Sequence, residues 1–199
     1  MKAYQRRFIF IAAAATLVFA LFGCKKGTPE QEQSDVADTA GSEQVRAGGL
    51  EDVLSLWESG DQESAAAGFL KINWQSPDLF SKTSILSLPE REFATLSASE
   101  RSEVQGKAMA LAGTIRQLVK EVLESARASI RAKDYDAAES QFNAVLDCGS
   151  ALADSDGLAI MKMVGSSVQG AALKGLIELY TETKDQAKLK AAQEKLSEL

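Results

Sequence analysis

The side chains best suited to chemistry are two cysteines, at 24 and 148, in a chain of 199 residues with no histidine. A Ser–His–Asp triad, a Cys–His dyad and a His-ligated metal site are therefore impossible. Two isolated cysteines also make neither a four-Cys zinc site nor a CxxC redox pair. Ser–Lys chemistry is the main nucleophilic option left, yet no Ser-x-x-Lys spacing follows residue 24. Carboxylates pair at Glu90/Glu92, Glu100/Glu103 and Glu121/Glu124, but on helices such pairs form solvated faces, with Glu124 at ion-pair spacing from Arg127. Asp154-Ser155-Asp156-Gly157 has the look of a calcium loop. Aligning Gly157 with the invariant loop glycine puts Leu152 and Met163 at the first and last ligand positions, so the pattern fails. Asp156 is expected to cap the next helix instead. Gly165, Gly170 and Gly175 lack the Lys-Ser or Lys-Thr of a phosphate loop and suggest close helix packing. We therefore expect no catalytic residue, no metal ligand and no cofactor. Cys148 reads as a buried small hydrophobe, with an intermolecular disulfide as the alternative. A net charge of −6 argues against a general nucleic-acid binder.

The elements that would position any site fall into three segments. Residues 1–7 carry three positive charges and no acid, and residues 8–22 are apolar apart from Thr16. With Gly23 and Cys24 following, this has the layout of a secretory signal. The apolar run is shorter than the roughly 17–25 residues of a membrane-spanning helix; an uncleaved anchor is the alternative. Leu21-Phe22-Gly23-Cys24 resembles the lipobox of bacterial lipoproteins, with Phe22 larger than that position usually holds. The resemblance implies removal of 1–23, acylation of Cys24 and anchoring in the cell membrane. Lys25 after the cysteine resembles lipoproteins sorted to the outer membrane in a diderm host. Cleavage would remove three of 22 positive charges and no acid, leaving 19 against 28, a net −9. An acidic body is repelled by anionic lipid.

Residues 25–48 hold no aromatic residue and only two branched aliphatics, Val36 and Val45. They bury too little apolar surface to offset ordering entropy, so the segment from Cys24 to 48 is expected to be a lipidated, disordered tether. Its root-mean-square span would be roughly 25–30 Å.

From 49 to 199 the chain is rich in helix formers, with Pro only at 77 and 89, and no long alternating run argues for strands. The fold class is all-α. The pattern predicts helices over 49–59, 61–74, 89–96, 100–132, 134–148, 156–182 and 184–198. Asp61 should cap the second, Ser87 should box the third with Glu90 and Ser99 should cap the fourth, while Gly149 should open a loop.

Three segments look alike. Gly60-Asp61 is followed by Ala65, Phe69 and Pro77; Ala126 precedes Asp134-Tyr135, Ala138 and Phe142; Leu176 and Tyr180 precede Lys184-Asp185. These resemble tetratricopeptide (TPR) repeats, in which a small residue permits close helix approach and an aromatic fills the next gap. The turn aspartates are 73 and 51 residues apart (61, 134 and 185), so the expected architecture is an irregular TPR-like stack of antiparallel helix pairs and not a tandem array. The resemblance implies a non-enzymatic protein-interaction scaffold, here tied to the membrane through Cys24 and facing an envelope protein or peptide, with Trp57 and Trp74 as candidate anchors. A carrier or sensor holding a small ligand between helices is the alternative.

Overall fold

The computed structural model describes residues 49–77, 79–81 and 84–199. The expected signal peptide, Cys24 and the tether lie outside the described residues. The described chain is all-helical. Its order is α1 (Leu50–Glu58), α2 (Gln62–Phe69), a 3-10 turn (Ile85–Ser87), α3 (Glu90–Thr95), α4 (Ala98–Ala132), α5 (Tyr135–Asp154), α6 (Ala159–Thr183) and α7 (Gln186–Ser197). Among the described residues there is no strand, and no helix is long and apolar enough to cross a membrane.

The heart of the molecule is α5 lying antiparallel to α6. Gly149 of α5 faces Gly165 and Gln169 of α6, and Phe142 faces Gly175. A methyl group on Gly149 would sit 2.7 Å from the Gln169 backbone nitrogen, so only glycine admits this approach. The long helix α4 packs on both with Ile115, Leu118, Val122 and Ala126, all buried. Its first buried residue is Ala108, and before it only Val104 packs, half-buried, against the core.

Five local expectations are corrected. The second helix ends at Phe69 rather than 74, because the Asn73 side chain accepts from the Gln75 backbone in a turn that folds Trp74 back onto Phe69. α4 is capped by Ser97, not Ser99: Ser97 and Glu100 form a reciprocal capping box. The Ser87 hydroxyl does not cap α3 but donates to the Ser81 and Ser84 carbonyls. α5 runs through Gly149 to Asp154, since this glycine serves packing and not termination. Asp156 does not cap α6; its first amide, on Ala159, donates instead to Glu90 of α3 at 2.9 Å. On the surface, Glu124 pairs with Lys120, and Arg127 reaches Glu178 of α6.

Candidate functional site

Three helix pairs, α1/α2, α4/α5 and α6/α7, are joined by the same turn. A residue with positive φ precedes an aspartate: Gly60 (91°) before Asp61, Lys133 (62°) before Asp134, and Lys184 (59°) before Asp185. Each aspartate amide donates back five residues, to Leu56, Ser129 and Tyr180 carbonyls at 3.0, 2.9 and 3.0 Å. Each aspartate side chain then accepts from the amide three residues on, at Ser64, Ala137 and Lys188. One carboxylate thus closes one helix's last turn and caps the next. The small-then-aromatic pattern that follows is fully buried twice, as Ala65 with Phe69 and as Ala138 with Phe142. In the third copy Leu189 and Gln193 take those places, and they are half-buried and exposed. Ala126, Leu176 and Tyr180 are buried in the core, and Tyr135 packs against it half-buried.

The two candidate anchors part company. Trp57 is half-buried against the core. Trp74, 8% exposed, packs edge-on against Phe69 with ring centroids 4.9 Å apart. Trp74 also lines a cleft of about 440 Å³, whose other walls include Pro77, Phe80, Pro89, Asp154 and Asp156. Trp57 is not among those walls. The Trp74 indole N–H is buried and has no acceptor among the described residues. Leaving such a donor unmet costs about 1–3 kcal/mol. Asp154 and Asp156 are exposed and make no ion pair among the described residues. The cleft was hidden from sequence reasoning because it joins residues 74–89 to 151–156; the prolines read only as helix breakers, and Asp156 only as a cap.

The other titratable cluster ties helices together. Glu139 of α5 accepts from the Tyr180 hydroxyl at 2.9 Å and from Lys188 of α7 at 2.7 Å. The Lys188 hydrogen bond holds Glu139 below the usual carboxylate range, and Glu139 in turn raises Lys188. Burial, then the Glu139 contact, pushes Tyr180 up. The Lys188 ammonium also lies 5.4 Å from the Tyr180 ring centre. Cys148 is fully buried between Asp147 and Gly149, and burial pushes its thiol up, the direction of an unreactive cysteine. The Ser97 hydrogen bonds hold Glu100 low, as a cap should be. No cluster of three acidic or cysteine side chains able to hold a metal ion occurs among the described residues.

Comparison of the chain with protein-family models, curated proteins and solved structures finds no match.

Proposed function

We propose that the protein is a bacterial lipoprotein whose helical body, a divergent TPR-like stack, serves as a non-enzymatic scaffold for a protein or peptide partner at the cell envelope. One observation carries the reading: a single turn geometry is used three times, with the buried small residue and aromatic of a TPR second helix behind two of its copies. Repeated helix pairs of this kind present surfaces rather than reaction centres, and repeat scaffolds use such surfaces for peptides and helices. The address rests on the basic residues before position 8, the apolar run 8–22 and Cys24. Acylation at sulfur and at the new amino group would give the anchor two or three chains, the number that makes membrane attachment stable. Residues 25–48 would let the body search a shell around that anchor, in the outer membrane if the host is diderm.

Affinity capture from solubilised envelopes of the native host tests the scaffold reading, with Cys24→Ala as control. A reproducible protein partner for the anchored form is expected; its absence would count against a scaffold. Intact mass tests the address: the expected species starts at Cys24 with acyl mass added, and an unprocessed, unacylated chain would overturn it.

A further inference from the structure

We propose that the cleft beside Trp74 is the partner site, and that its ligand is an extended, proline-containing peptide bearing a Lys or Arg. This rests on the scaffold reading and names the partner's chemistry. Three observations converge. Trp74 and Phe80 with Pro77 and Pro89 make flat apolar walls, the surface on which a preformed polyproline strand docks at low entropic cost. The Trp74 N–H is a buried donor with no acceptor among the described residues. A peptide has a carbonyl at every residue, free to accept when the strand is extended, so binding would satisfy a donor that the free protein leaves unmet. At the rim, Asp154 and Asp156 offer two carboxylates with no ion pair among the described residues, which selects a cationic side chain and repels acidic ligands. The indole N–H is shielded in the free protein, so the Trp74 ring must shift when a peptide enters.

The test uses the full chain in detergent micelles. The probes are two pools of capped octapeptides that alternate proline with randomised apolar residues; one pool carries a single Lys and the other a Glu. The chain has two tryptophans, so its indole N–H resonances are assigned by Trp74→Phe. The Lys pool is expected to shift the Trp74 indole signal and leave that of Trp57 in place, while the Glu pool shifts neither. Trp74→Phe keeps an aromatic wall but loses the donor and part of the indole's apolar surface, and should weaken binding about three- to tenfold. Asp154→Asn with Asp156→Asn should weaken it about tenfold or more. Circular dichroism identical to the parent certifies that each variant is folded. Equal binding of both pools, binding indifferent to these changes, or no shift at millimolar peptide would overturn the proposal. The scaffold reading fails separately: an envelope partner still captured by the Asn variant would leave it standing and sink the cleft, whereas peptide binding without any envelope partner would do the reverse.

Discussion

The seam between α5 and α6 and the seam between α6 and α7 are built differently: Gly165 and Gly175 of α6 meet α5, whereas Gly170 lies beside Leu196 of α7. At the first, backbones meet through glycine: a methyl group on Gly165 would lie 2.6 Å from the Gly149 carbonyl oxygen. At the second, α7 buries only Ala192, and the polar strap of Glu139, Tyr180 and Lys188 holds it. α7 otherwise presents Lys190, Glu194 and Lys195 to solvent. The same aspartate turn thus leads twice into the core, at α2 and α5, and once into α7, whose outer face is polar.

The contrast predicts a large asymmetry. Phe142→Ala would empty the space beside Gly175 and should cost about 3–5 kcal/mol in urea unfolding. Leu196→Ala, at a half-buried position of α7, should cost less than about 2 kcal/mol. Equal losses would mean that α7 is as integral as α5.

Glycine-to-alanine changes sharpen the same point by sign. At Gly165 the added carbon meets α5 backbone, at Ala153 and Gly149, which cannot swing aside; a loss of about 2–3 kcal/mol is expected. At Gly106, in the first turns of α4, the added carbon meets nothing within 4 Å. There alanine should stabilise by about 0.5–1 kcal/mol, because it only restores helix propensity. The two melting temperatures should move in opposite directions.

The turn aspartates separate global from local stability. Asp134→Ala should remove about 1 kcal/mol from the whole molecule, since it uncaps α5. Asp185→Ala removes the same cap in front of α7. Its effect should show in native-state hydrogen exchange as faster exchange of α7 amides, with α5 protection unchanged. If α5 amides followed, the two seams would form one cooperative unit.

What the sequence made legible was local. Asp61 and Asp134, with the small residue four positions on and the aromatic eight positions on, could be read because cap and packing all fall within one helix. Glycine was ambiguous: Gly60 takes the positive φ of a turn, while Gly149 is a mid-helix contact, and both look like punctuation in one dimension. The start of α6 was illegible, because its first amide is met by Glu90, 69 positions earlier. The cleft was illegible for the same reason. Its donor, apolar walls and carboxylates come from two stretches that only the path of the chain after Phe69 brings together.

The smallest expected effect belongs to the polar strap and depends on pH. Glu139 is held below its ordinary value, so the charged strap contributes fully above about pH 4.3, the ordinary glutamate range. As pH falls below that, the unfolded chain takes up the proton first, and the contribution fades until Glu139 itself protonates. Lys188 is raised, so its share is complete below the ordinary lysine range near pH 10.4 and is lost only as pH climbs through the raised value. α7 amides should therefore lose hydrogen-exchange protection, relative to α5, as pH falls through and below the ordinary glutamate range. Glu139→Gln keeps an acceptor for Tyr180 but carries no charge, so it should start with weaker α7 protection and lose less of it across that window. Half of the Lys188 side chain is exposed, so salt should shrink the difference between parent and variant. A difference that persists in molar salt would mean that the hydrogen bonds, rather than the ion pair, hold the last helix to the stack.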